Sequence, residues 1–167
     1  DLVTALASNN ITVTTVNDSY DAPNGGDLTI AASITSASGN DLTLIASDQL
    51  TSSHSADISL TGKLNLTAGP GGIQTIGNID IGSNTLTSNS GGSAIFVGDV
   101  TAGNLSLTTT ETGSIIQSTK FKGGELNLIT TNGNVEVTAL SGDLTIGSVS
   151  LGSGSAAIEA STGTVND

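Results

Sequence analysis

Leucines at Leu42, Leu64, Leu86, Leu105, Leu126 and Leu144 return at steps of 22, 22, 19, 21 and 18 residues. Most of them sit in one small motif: Gly62-Lys63-Leu64-Asn65-Leu66, Gly103-Asn104-Leu105-Ser106-Leu107, Gly124-Glu125-Leu126-Asn127-Leu128 and Gly142-Asp143-Leu144-Thr145-Ile146. A glycine followed by a short apolar–polar–apolar strand, repeated about every twenty residues, describes a solenoid rather than a globular core. Such a unit has no core of its own and buries its apolar face only by stacking on its neighbours. Function is then expected from surface and length more than from a deep pocket.

Two further sets of apolar positions run through the same repeat. One falls at Ile73, Ile95, Ile115 and Val135; the other falls near Ile79, Val100, Phe121 and Leu140. Apolar residues alternate with period two over short runs, as in Leu42-Thr43-Leu44 and Val135-Glu136-Val137, and Gly, Asn, Asp and Ser punctuate them. Nothing in this pattern favours helix. The fold class predicted is all-β: a parallel β-helix (β-solenoid) with three short strands per turn of about 20 residues. The right hand is expected from the chirality of parallel crossovers. Stacking at ~4.8 Å per strand gives about eight turns and a rod of roughly 40 Å. Inward Leu, Ile, Val and Ala are expected to form like-on-like ladders. Their outward neighbours along the first strand would be Thr43, Asn65, Ser106, Asn127 and Thr145. Corner glycines are expected to supply positive φ.

The whole chain, 1–167, is expected to be a single solenoid segment. Residues 1–26 are irregular or weakly registered, and 27–167 form the array. Ile11-Thr12-Val13 alternates without a clear register. Gly26-Asp27-Leu28 fits the motif but lies only 14 residues before Leu42, which requires a short turn or an insertion. Ile158 and Val165 point to one more turn. Neither end displays an amphipathic capping helix, so the segment is expected to be a piece of a longer array whose open edges would otherwise invite pairing.

Composition narrows the function. Charged residues are 11 % of the chain and the only aromatics are Tyr20, Phe96 and Phe121, yet the abundance of regularly placed Ile, Val and Thr argues against disorder. Fifteen acidic residues face three lysines, Lys63, Lys120 and Lys122, for a net charge of −12. That balance opposes nucleic-acid binding, which needs cations to replace phosphate counterions. It also opposes attraction to anionic lipid. No apolar run approaches the ~20 residues of a membrane helix, so no membrane insertion of this segment is expected. With no Cys, thiol chemistry is absent.

The stretch Asn65-Leu66-Thr67-Ala68-Gly69-Pro70-Gly71-Gly72-Ile73-Gln74 resembles the repeat of filamentous-haemagglutinin-type adhesins. So does Asn104-Leu105-Ser106-Leu107 leading through Gly113-Ser114-Ile115-Ile116-Gln117. The resemblance covers roughly residues 26–165. It implies a long bacterial β-helix exported by two-partner secretion or as an autotransporter passenger, and therefore secreted or displayed on the cell surface. This piece would belong to the shaft of an adhesin or extracellular fibre, attaching to a host-cell, glycan or matrix surface, with end-to-end or lateral self-association as a further possibility. The Asn-Pro-Asn-Gly type of secretion motif of those exoproteins is not present in this chain.

Other chemistries fit less well. The β-helical polysaccharide lyases that this architecture resembles use clustered Asp around Ca²⁺ with an Arg or Lys base; this chain has no Arg, and its lysines lack such clusters in sequence. Hydrolases of glycosidic bonds need two carboxylates at a set separation. Asp41, Glu125 and Asp143 precede the first strand of their repeats and read better as stacked corner residues. His54, alone in Thr51-Ser52-Ser53-His54-Ser55, reads as a loop residue. Asn24-Gly25-Gly26-Asp27-Leu28 matches half of a Ca²⁺-binding nonapeptide that does not recur. Asn-x-Ser/Thr triplets at Asn10, Asn17, Asn65 and Asn104 are expected by chance in so Ser- and Thr-rich a chain. No catalytic residue, metal ligand or cofactor is therefore assigned, and the chain is not expected to be an enzyme. The alternative function is an ice-binding solenoid, which wants a stricter Thr-x-Thr row than the mixed one above. A polysaccharide-active β-helix enzyme ranks below it.

Overall fold

The structure, a computed structural model, describes residues 1–15, 26–110, 113–139, 143–160 and 162–166 and, of residues 116–120 and 139, the backbone alone. It is a β-solenoid of about 6 turns with a spacing of roughly 21 residues, 56% strand and 3% helix. The eight turns expected from length alone are reduced because residues 1–41 contribute only one. That turn holds helix α1 (Leu2–Leu6), then β1 (Ile11–Thr14), β2 (Leu28–Ile30) and β3 (Ile34–Ser36). The second turn is β4 (Leu42–Ile45), β5 (Gln49–Ser52) and β6 (Ile58–Leu60), and the third is β7 (Leu64–Ala68), β8 (Gly72–Thr75) and β9 (Ile79–Asp80). In the fourth, β10 (Thr85–Ser90) and β11 (Ala94–Phe96) lead into β12 (Val100–Thr109), which rounds a corner into the fifth. The fifth and sixth turns use β13 (Ile115–Thr130), itself bent round two corners, with β14 (Val135–Ala139). The chain ends in β15 (Leu144–Ser150), β16 (Ala156–Ala160) and β17 (Val165–Asn166). Each strand pairs in parallel with the strand one turn away, as β4 does with β7 and β7 with β10.

The first-side ladder is the one expected up to the fifth step: Leu42, Leu64, Leu86, Leu105 and Leu126 stack in register and are fully buried. Leu144 does not continue it. Leu126 pairs with Ile146, and the register then slips so that Asn127 meets Ser148, with Gly147 as the extra residue. A step of 18 is too short for this circumference. Leu144 is buried two residues earlier and stacks on Val165, and the bulge absorbs the difference.

The second-side ladder also departs from expectation at one place. Ala94, not Ile95, lies between Ile73 and Ile115, while Ile95 faces outward beside Gln74. Alternation forces a choice: Phe96 faces inward only if Ala94 does, and burying a phenyl ring outweighs burying one Ile. On the third side, Ile34, Ile58, Ile79, Val100 and Phe121 stack as read from the sequence. Leu140 lies outside the described residues, and Phe121 pairs with Ala139.

The narrow interior takes its two phenylalanines by shrinking their neighbours. In the turn of Phe96, Ser88 stands in a column otherwise made of Leu44, Leu66, Leu107 and Leu128. In the next turn the ring of Phe121 lies over Gly123, where a Cβ would overlap it.

Two segments that the repeat leaves unregistered find places. Ile11 pairs with Leu42 and Val13 with Leu44, so β1 is a first-side strand, 31 residues ahead of its partner rather than 21. Leu28 pairs with Leu50 and belongs to the second side, which is why its distance from Leu42 does not fit the first-side period. The N-terminal end does carry a helix, contrary to expectation. Asp1 caps it by accepting from the Thr4 N–H at 2.8 Å, and Leu6 is fully buried. The Leu6 carbonyl accepts from Ser38 Oγ at 2.7 Å and Asn40 Nδ2 at 2.8 Å, which fastens the helix end to a corner. Five residues are too few to show a helical period in sequence.

Corners are held by side chains that reach one turn along. Asp57 Oδ1 accepts from the Asn78 N–H at 2.7 Å, and Asn78 Oδ1 accepts from the Asp99 N–H at 2.9 Å. On a second corner Asn10 serves Asp41 (2.9 Å) and Asp41 serves Lys63 (2.8 Å). A third corner uses hydroxyls facing inward: Thr109 Oγ1 donates to the Gly113 carbonyl (2.6 Å) and Thr130 Oγ1 to that of Gly133 (2.8 Å). The motif glycines Gly62 and Gly103 are not among the positive-φ residues, which include Gly72 and Gly82. They are there for proximity instead: a Cβ would run into the carbonyls of Asn40 and Ser83 one turn below.

Candidate binding face

The outer surface of the first side is the longest regular surface on the molecule. Its central row is Thr12, Thr43, Asn65, Thr87, Ser106, Asn127 and Ser148. Beside it runs Thr14, Ile45, Thr67, Asn89, Thr108, Ile129 and Ser150. Period-two alternation puts these side chains outward because Leu42, Leu44 and their equivalents point inward. Thr145, expected in the central row, instead pairs with Glu125 at the margin, and Ser148 takes its place through the Gly147 bulge. Thr87, which the Leu86 position implies, completes the row.

Neither row contains a charged residue. Charge lies elsewhere: at the margin of this face (Asp41, Lys63, Glu125), in the corner ladder of Asp57 and Asp99, and on the third side, where Asp80, Thr101 and Lys122 share an outward row. A chain of net charge −12 therefore keeps one uncharged polar stripe along its length.

The stripe is not uniform. Toward its ends the side chains bind one another, Asn65 Nδ2 donating to Thr43 Oγ1 at 3.3 Å and Ser148 Oγ to Asn127 Oδ1 at 2.8 Å. In the middle, the side chains of Thr67, Thr87, Asn89, Ser106 and Thr108 make no hydrogen bond to another group of the described residues. Here the surface dips into a groove of about 270 Å³ lined by Thr67, Asn89, Gly91, Thr108 and Thr110. A second, apolar cavity of about 460 Å³ lies at the N-terminal end between α1 and the first turn, against Leu2, Val13, Leu28, Ile30 and Ile34.

The other residues singled out by sequence take up structural or isolated positions. His54 is exposed in the corner between β5 and β6. Asp41 and Glu125 share the marginal row but stand four strands apart, roughly 19 Å at the interstrand spacing, and Asp143 falls outside that row. The three carboxylates are not brought together. Asp143 accepts from both the N–H (3.0 Å) and the hydroxyl (2.9 Å) of Thr164, and these bonds hold its carboxyl below the usual aspartate range. Asp27 Oδ1 accepts from the Gln49 N–H at 3.2 Å, while Asn24 and Gly25 of the same half-motif lie outside the described residues. Of the Asn-x-Ser/Thr triplets, Asn10 and Asn65 are engaged in the bonds above, Asn104 is exposed, and Asn17 is outside the described residues. The side chain of Lys120 is likewise not described. Among the described residues no group of three His, Cys, Asp or Glu side chains converges as a metal site would, and no helix is long and apolar enough to cross a membrane.

Comparison with known proteins returns no matching family model, no matching curated protein and no matching solved structure. The fold therefore defines a class, the parallel β-solenoids, which is consistent with a structural shaft or an extended binding surface.

Proposed function

We propose that this chain is a stretch of non-enzymatic shaft from a secreted or surface-displayed bacterial fibre of the filamentous-haemagglutinin type, and that its outer faces attach to cell, glycan or matrix surfaces. The observation that carries this reading is the in-register first-side face. Two uncharged polar rows continue from the first turn to the last strands while every functional-looking carboxylate is spent on corners or stands alone. A rod of stacked turns lengthens without needing a new core, so it suits display at a distance. Rows of similar hydroxyl and amide groups suit weak contacts made many times, and linked weak contacts gain avidity.

The test is to present the isolated chain to host cells, matrix proteins and a glycan array, with ice shaping and polysaccharide cleavage assayed in parallel. Retention on at least one of these surfaces without turnover is expected. Polysaccharide turnover would refute the non-enzymatic reading. Ice shaping would replace attachment with ice binding, a reading that the interruption of the outer row by Ile45 and Ile129 disfavours.

A further inference from the structure

The middle of the first-side stripe differs from its ends in three independent ways. Its hydroxyl and amide groups are unpaired within the protein, whereas the flanking pairs Asn65–Thr43 and Ser148–Asn127 satisfy each other. It is concave, with Gly91 forming the floor of the groove where other turns carry larger corner residues. It is bounded along its row by Ile45 and Ile129, so the polar run Thr67–Asn89–Thr108 is three strands long. From this we infer that the groove centred on Asn89, with Thr67, Thr87, Ser106 and Thr108 around it, is a binding site for an uncharged polyhydroxylated polymer, a neutral polysaccharide lying along the rod. The inference rests on the shaft-and-surface function proposed above and assigns it a site and a ligand class.

The chemistry selects that ligand. Threonine and serine hydroxyls and the Asn89 amide both donate and accept, so the complementary partner carries groups that also do both, as sugar hydroxyls do. A polyanion meets no cation in either row and faces the field of a chain carrying net charge −12. A polycation would choose the carboxylate-bearing corners rather than this stripe. A peptide strand adds to a free sheet edge, and here the edges of the middle strands are paired on both sides, β10 with β7 and β12. A second copy of the rod brings the same negative charge and the same marginal carboxylates, Asp41 and Glu125. The groove has no aromatic platform, so each sugar is held weakly and a useful affinity requires several residues of one polymer to bind in succession.

The experiment is affinity electrophoresis of the full chain in native gels containing dextran, mannan or an unsubstituted β-glucan, with alginate and heparin as anionic comparators, at low and high salt. Retardation is expected in at least one neutral polymer and is expected to persist at high salt, since no ion pair contributes. Asn89→Glu and Thr108→Glu should each weaken it at least about tenfold, because binding would then desolvate an unpaired charge. Ser59→Glu, outward on the third side, should leave it unchanged, and circular dichroism confirms that each variant keeps its β structure. Retardation by no neutral polymer overturns the proposal, as does salt-sensitive retardation by the anionic polymers alone. If the chain is retained on cells or neutral polymer but both groove variants bind as well as the parent, this site is refuted and the shaft function stands. Concentration-dependent dimerisation abolished by Asn89→Glu would also refute it, in favour of a second copy as the occupant.

Discussion

Replacing Leu105 by Asp tests the stacking register at its centre. Leu105 is fully buried between Leu86 and Leu126, themselves fully buried, so nothing around it solvates a carboxylate. Losing the buried leucine surface costs about 1.5–3 kcal/mol. Placing a carboxyl there, neutralised or not, adds several kcal/mol more. The sum, on the order of 5 kcal/mol, is comparable with the whole stability of a typical domain. Because each turn touches only its neighbours, the damage should also break the rod into two weakly coupled halves rather than lower one global transition. Ser106→Asp is the matched control: its side chain lies outward between Thr87 and Asn127, and the expected change is about 0.5 kcal/mol or less. Urea titration followed by far-UV circular dichroism reads both. A loss of cooperative unfolding in Leu105→Asp with a near-parental midpoint in Ser106→Asp supports the register. Equal midpoints would mean that the inward and outward faces of β12 have been assigned wrongly.

Three other outcomes follow from the corners and the core. Gly133→Ala should destabilise by about 1–3 kcal/mol, because its Cβ would press into the Gly113 carbonyl of the turn below, as overpacking does. Gly82→Ala, with φ 57° and open space around it, should cost only the left-handed backbone penalty of about 1–2 kcal/mol; thermal melts that rank the two in the reverse order by a wide margin would refute the crowding argument. Ser88→Ala should raise stability by about 1 kcal/mol, since the Ser88 hydroxyl is buried without a partner and its removal leaves nothing unsatisfied; a lower melting temperature would show that the hydroxyl is bound. Thr164 donates twice to Asp143, whose folded pKa is depressed, so this contribution is full above the ordinary aspartate value of 3.8 and is lost as pH falls through the lower folded value. Amide exchange at Thr164 should therefore accelerate in acid relative to the β12 core, and Asp143→Asn should remove that pH dependence.

What was legible in the sequence is what stacking repeats at a constant spacing. Leu42 to Leu126 and Ile34 to Phe121 keep their period because each must cover the residue below it, and a ladder is visible as a recurring letter. Legibility failed where a local demand overrode the period. Phe96 dictated the facing of Ala94 and Ile95; the Gly147 bulge moved Ser148 into the row that spacing gave to Thr145; and α1 was too short to show a period at all. The role of the motif glycines was misread for a related reason. Positive φ and close approach of a neighbouring turn both select glycine, and only the coordinates separate Gly62, crowded by the Asn40 carbonyl, from Gly82, free of contacts but left-handed. The candidate groove was the least legible feature, because its five defining residues are common polar types on different strands.

That last point follows from the architecture. Along a strand, inward and outward positions alternate, so a substitution at Asn89 changes the surface without touching the Ser88 and Ser90 positions that face the interior. Across strands, a row is assembled one residue per turn, from positions about 21 apart in the chain. The core restricts the inward letters to a small apolar set, while the outward letters of each turn can vary independently. A binding surface on such a rod is therefore written perpendicular to the sequence. Read along the chain, Thr67, Asn89 and Thr108 are three unrelated polar residues in three similar strands. Read across it, they are adjacent members of one uncharged row, bracketed by Ile45 and Ile129. It is the pairing register, more than any motif, that turns them into a site.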